Sequence, residues 1–161
     1  METKKEMVSH DVFISYRRSD MQLAALTYYF LENMGYDVWW DVSLPYEMCA
    51  DDEYPTIIDK IIKNCKDFIL LVTEKTFDKT KINDEDDWIH REIKCALSNG
   101  RHIIPLQLNN SSLPKNLPED IVSLTKRKQF YQFPIDPYTK TNDEIKRTWK
   151  KLLKSTPSFN G

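Results

Sequence analysis

A carboxylate at position 92 is the residue of this chain whose placement most calls for chemistry. If DDWIHREIKCALS, residues 86–98, is a helix turning by about 100° per residue, Trp88, Cys95, Ala96, Ile89, Ile93 and Leu97 share one continuous arc. His90, Arg91, Lys94 and Ser98 fill the opposite arc. Glu92 falls between Trp88 and Ala96, inside the apolar face, where an acid needs a partner or a task. Two readings follow. Its stem packs while its head reaches water, as at any helix boundary; or it is a desolvated carboxylate beside an aromatic wall, an environment that stabilises a developing cation.

Other chemistries are poorly served. The glycines are Gly35, Gly100 and Gly161 alone, so neither a dinucleotide-binding G-x-G-x-x-G nor a P-loop can be written in this chain. A bound nucleotide would have its phosphates met by side chains and helix ends, and Arg17 and Arg18 beside a helix start suit that task; the alternative is an arginine that packs or pairs with surface acids. There is no G-x-S-x-G. Cys49, Cys65 and Cys95 are odd in number with no C-x-x-C pair, which predicts reduced thiols and no zinc site. His10, His90 and His102 stand at no metal-ligand spacing, so no metal is expected, and His90, on the polar arc, is expected to be solvated or bonded at the surface.

With 161 residues, 40% of them hydrophobic and 30% charged, the composition is that of one globular domain. A net charge of −2 lacks the electrostatic footprint of a nucleic-acid binder. No apolar run approaches the ~18 residues of a membrane span, and METKKEMVSH has no signal-peptide core, so a cytoplasmic location is expected. KRTWKKLLK has the look of a membrane-surface helix. Ile145, Trp149, Leu152 and Leu153 nevertheless form a stripe suited to packing on a sheet, and no membrane partner is expected.

The elements that must position Glu92 alternate between short apolar runs and helical patterns, the rhythm of a parallel sheet flanked by helices. Strands are predicted at 11–15, 36–40, 67–72, 101–108 and 129–133. Helices are predicted from Ser19 or Asp20, as cap, to about Met34, with Gly35 as stop; at 55–65; at 86–98, stopped by Gly100; and at 141–154. NNSSLPKNLPED reads as loop, and Pro105 suggests that the fourth strand's ladder ends early or lies near an edge. Ligands of open parallel sheets bind at the carboxyl ends of the strands. Tyr16, Arg17 and Arg18 follow strand one there, Asp41 follows strand two, and the Glu92 helix follows strand three.

DVFISYRRSD, GYDVWWD, FILLVTEKTF and DDWIHREIKCALSNGRHIIPLQL resemble the successive signature boxes of the Toll/interleukin-1 receptor (TIR) domain, in order and over about residues 10 to 153. The D-W-I-H-R-E segment is especially similar to the NAD-cleaving branch, which includes a neuronal axon-degeneration NADase and bacterial antiphage enzymes. The resemblance implies an α/β, flavodoxin-like three-layer fold with a central, mostly parallel five-stranded sheet, a domain over 10–154 and tails at 1–9 and 155–161. It implies cleavage of the nicotinamide–ribose bond of NAD+, to ADP-ribose or a cyclic isomer, in immune or cell-death signalling. NAD+ would be substrate, with no cofactor or metal.

Glu92 matches the catalytic glutamate of that branch; Tyr16, Arg17, Arg18, Asp41 and Trp88 are the substrate-binding candidates, with Trp39 as a further aromatic that could wall the site or support Glu92. Trp39 and Trp40, as strand neighbours, face opposite ways, so one of the pair is expected in the core. The resemblance also implies association with other TIR domains or self-assembly through the 41–53 loop, where Leu44, Pro45, Tyr46 and Met48 offer apolar contacts beside an acidic run, Asp51 to Glu53, that Lys79 and Lys81 could oppose. That loop has no glycine, a departure from the family, and Glu47 is assigned no role. The rival reading is a TIR module that signals by assembly alone.

Overall fold

Apolar runs without a polar face build the centre of the sheet. VFIS forms β1 (Val12–Ser15) and DFILLV forms β3 (Asp67–Val72), with every residue of both strands buried, as a strand covered on both faces requires. They pair in parallel, Val12 opposite Asp67 and Ser15 opposite Leu70. β4 (His102–Gln107) lies on the far side of β3. Two-residue strands, β2 (Val38–Trp39) and β5 (Tyr131–Gln132), close the edges, giving a five-stranded, wholly parallel sheet in the order β2-β1-β3-β4-β5. The computed structural model describes residues 10–40, 53–77, 88–108, 119–127, 130–136 and 138–158.

Alternation along the strands divides the core in two. Phe13, Trp39, Phe68, Leu70 and Val72 pack against α2 (Glu53–Asn64), α3 (Trp88–Ser98) and α4 (Glu119–Arg127) through Ile61, Ile89, Ile93 and Leu124. Val12, Ile14, Val38, Trp40, Ile69 and Leu71 pack on the other face against α1 (Met21–Asn33) and α5 (Asn142–Leu152), through Leu31, Ile145 and Trp149. The result is the α/β, flavodoxin-like three-layer arrangement. Gly35 and Gly100 end α1 and α3 at φ of 93° and 63°, the left-handed conformation that a side chain disfavours. The stripe of α5 is core: Trp149 is fully buried and Ile145 nearly so.

Several elements differ from the sequence expectation. α4 occupies a stretch where the sequence pattern predicts loop and then no element. Nine residues cannot show a convincing period, but the acidic first turn of Glu119 and Asp120 followed by terminal basic residues is the charge order a helix dipole favours. Asp20 stands at the cap position of α1 without capping it, after a short 3-10 turn at Arg18–Asp20; its carboxylate accepts from Thr73 Oγ1 at 2.7 Å instead. β4 runs past Pro105 to Gln107. The backbone of Gln107 faces β5, since its carbonyl accepts from Phe133 N, so Pro105, two residues earlier, also faces that side, where pairing begins only at Leu106; its missing N–H costs no ladder bond. Residues beyond 154 are bonded to the body: Ser155 N and Oγ donate to Asp67 Oδ2 at 2.7 and 2.5 Å, and Ser158 N donates to the Gly35 carbonyl at 2.8 Å.

Candidate active site

β1 leads into α1 on one face of the sheet and its neighbour β3 leads to α3 on the other. The carboxyl ends of these two strands therefore flank the switch point of the sheet, where a crevice opens in folds of this type. Ser15 is the last residue of β1 and lies on the same side as Phe13, toward α3. Its side chain is buried, 1% exposed, and Oγ donates to Glu92 Oε1 at 3.2 Å. Glu92 is half-buried. The buried arc of α3 comprises Ile89, His90, Ile93 and Ala96, so it is rotated toward His90 relative to the arc drawn from periodicity. Glu92 consequently sits at the edge of the buried face, between Ala96 and an exposed Trp88, rather than within it.

The rotation has a cause. α4 covers the side of α3 that the sequence assigns to solvent, and His90, 6% exposed, places Nε2 at 2.7 and 2.8 Å from the two carboxylate oxygens of Asp120. His90 is thus a buried helix-to-helix link, not a surface residue. Its partner is Asp120, not Glu92.

The turns after β1 and β3 are tied together twice. Arg17, half-buried, donates through Nε to the Thr76 carbonyl at 2.6 Å, and Thr73 donates to Asp20. Thr76, fully buried, accepts from Thr73 N at 2.7 Å and donates to the Leu71 carbonyl at 3.1 Å, which holds the second turn in shape. Arg18 is exposed on the first turn. Tyr16 is buried on the opposite face of the sheet, its ring 6.0 Å from that of Trp40. Trp39 and Trp40 are both core residues on opposite faces; Trp39, 1% exposed, stacks on Phe13 at 5.0 Å. Trp88 is 44% exposed, and the Arg91 guanidinium lies 5.7 Å from its ring centre, within range of a cation–π contact. Asp41 and the 41–52 part of the loop, with Tyr46 and Met48, lie outside the described residues, as do Lys79 and Lys81.

The profile of the TIR domain family matches residues 12–148. The chain belongs to the TIR domain family. Over 122 residues, 72% of its length, this TIR domain is 38% identical to the NAD(+) hydrolase tir-1 of Caenorhabditis elegans, and covers 12% of that protein. It is 38% identical over 119 residues, 71% of its length, to the NAD(+) hydrolase sarm1 of Drosophila melanogaster, covering 8% of it. The domain therefore spans only a small part of these relatives. Among solved structures, the TIR domain of the Toll-related receptor TRR-2 from Hydra magnipapillata superposes with a TM-score of 0.57 at 18% identity, covering 89% of this chain and 95% of that one, which is a likeness of fold.

Nucleophilic thiol chemistry is not favoured at Cys65 or Cys95, the two cysteines among the described residues. Burial pushes the Cys65 thiol up to about 12, and burial followed by the charge of Asp59 raises that of Cys95; a thiol that stays protonated is a poor nucleophile. Among the described residues no three His, Cys, Asp or Glu side chains cluster to hold a metal ion, and none of the described helices is long and apolar enough to cross a membrane. Residue patterns alone did not point to Ser15, Thr73, Thr76 or Asp120. The signal that was available for Ser15 is a hydroxyl ending an otherwise apolar strand, which must find an acceptor when buried.

Proposed function

We propose that this TIR domain is an NAD+ nucleosidase with Glu92 as its catalytic carboxylate. The observation that carries the proposal is the half-buried Glu92 side chain, bonded to Ser15 at the carboxyl end of β1, in a chain similar to relatives named NAD(+) hydrolases. Breaking the nicotinamide–ribose bond develops oxocarbenium character, as glycoside hydrolysis does. Nicotinamide departs as a neutral molecule from a cationic substrate, so no general acid is needed. One carboxylate suffices to stabilise charge at the anomeric carbon and to hold ribose hydroxyls. Capture of that carbon by water, with loss of a proton, gives ADP-ribose; capture by a nucleophile within the same molecule gives a cyclic isomer.

In this reading Arg18, exposed beside the first turn, meets the pyrophosphate, with Arg17 behind it held by its bond to Thr76. The exposed Trp88 offers a flat wall, Asp41 contributes from its loop, and Trp39 supports the site from the core through its stacking on Phe13, whereas Tyr16, buried against Trp40 on the opposite face of the sheet, is not placed against substrate, contrary to the sequence expectation. Assembly with other TIR domains through the 41–53 loop belongs to the same proposal, and predicts that specific activity rises with protein concentration. A cytoplasmic location and a role in immune or cell-death signalling rest on the family.

The deciding experiment incubates concentrated protein with NAD+ and measures free nicotinamide. Glu92→Gln keeps shape and removes charge, and is expected to lower turnover by about 100-fold or more with the fold intact. No nicotinamide release at any protein concentration, or a Gln variant as fast as the parent, would refute the reading and favour an assembly module.

A further inference from the structure

We propose that Ser15 is a positioning residue that orients the Glu92 carboxylate for the reaction, an inference that rests on the nucleosidase reading above. Ser15 occupies a site where packing has no use for a hydroxyl. Val12, Phe13 and Ile14 precede it, Leu70 lies opposite in the register, and its side chain is 1% exposed. An alanine would fill that position at nearly the same volume without a polar atom to satisfy. A buried hydroxyl is tolerated only when bonded, and this one donates to Glu92 Oε1 at 3.2 Å, across 77 positions of sequence. β1 pairs with β3 along its whole length, Ser15 opposite Leu70, and with β2 at Val12 and Phe13, so the donor is held by the sheet while the acceptor rides on a helix at its rim. The bond anchors Oε1 of the carboxylate at the strand ends where substrate would lie.

The bond links chemistry to scaffold without touching substrate, which separates its expected signature from that of a binding residue. Misplacement of a charge-stabilising group weakens transition-state contacts more than ground-state ones. Ser15→Ala should therefore lower kcat by about 10-fold, the equivalent of one hydrogen bond to a charged group, with KM changed by less than about two-fold and Tm within about 3 °C of the parent. In a Glu92→Gln background the same replacement should change turnover less than about two-fold, because a residue that acts through Glu92 has nothing left to orient.

Nuclear relaxation of the Glu92 side-chain methylenes reads the positioning without turnover: their order should fall in Ser15→Ala. Ser15→Cys, similar in size with a weak donor, serves if the alanine variant fails to fold. An equal loss of kcat in both backgrounds, a parent kcat, or unchanged Glu92 order would overturn the inference. Should the parent release no nicotinamide, the nucleosidase reading falls, and the relaxation measurement still decides whether Ser15 orients Glu92.

Discussion

His90 on α3 and Asp120 on α4 form a bond between helices, Nε2 to both carboxylate oxygens at 2.7 and 2.8 Å, with the imidazole 8% exposed. The pair joins α4 to the helix that carries Glu92, beside the apolar packing of Leu124 in the same cluster as Ile89 and Ile93. Asp120→Ala leaves a buried ring nitrogen without this acceptor and should cost about 1–3 kcal/mol of stability. Urea denaturation measures it, and a loss below about 0.5 kcal/mol would show that apolar packing alone orients α3.

The two arginines after β1 should separate. Arg17 donates to the Thr76 carbonyl at 2.6 Å whereas Arg18 is exposed, so Arg17→Ala is expected to lower stability by about 1.5–3 kcal/mol. Arg18→Ala should leave Tm within about 1 °C and raise the KM for NAD+ several-fold through loss of a donor to phosphate. Calorimetry with steady-state kinetics on both variants tests the split; equal effects on both quantities would contradict it.

Asp67, fully buried at the amino end of β3, accepts from His102 Nδ1 at 2.7 Å, from Lys154 N at 3.0 Å, and from Ser155 N and Oγ. Asp67→Ala strips these donors of their acceptor and is predicted to destabilise by about 3–5 kcal/mol, with activity per folded molecule unchanged because the site lies at the other end of the strand. Loss of kcat at full folding would sink that separation.

The raised Cys65 thiol has a consequence at alkaline pH. Its value goes from 9.0 to about 12, with burial as the main cause. Between those limits the unfolded chain has released a proton that the folded chain retains, so this contribution to stability is intact below pH 9 and falls as pH rises above it, by up to about 1.4 kcal/mol per pH unit. Comparing parent with Cys65→Ala by denaturation between pH 8 and 10.5 checks the sign: the variant is less stable at pH 8 but declines less steeply. Parallel curves would refute it.

Self-assembly is tested separately. Tyr46→Ala combined with Met48→Ala should flatten the rise of specific activity with concentration while sparing the fold, since it alters the population of competent assemblies and not Glu92. Activity strictly proportional to enzyme from nanomolar to high micromolar, without prior oligomers by light scattering, would exclude assembly control.

What the sequence by itself determined is whatever repeats along a few residues. Consecutive apolar residues at 12–14 and 68–72 required strands covered on both faces, Gly35 and Gly100 required helix ends, and the approximate place of Glu92 between Trp88 and Ala96 followed from helical pitch. Local periodicity fixes an angle on a helix but carries no information about which neighbour covers it. α4, too short to announce itself, turned the buried arc of α3 toward His90, so a residue assigned to solvent became a buried link and Trp88 became exposed. The adjacency of β1 and β3, and with it the contact of Ser15 with Glu92 over 77 positions, arises only when the chain crosses between sheet faces. Contacts at that separation depend on strand order and packing, which the tertiary structure alone decides.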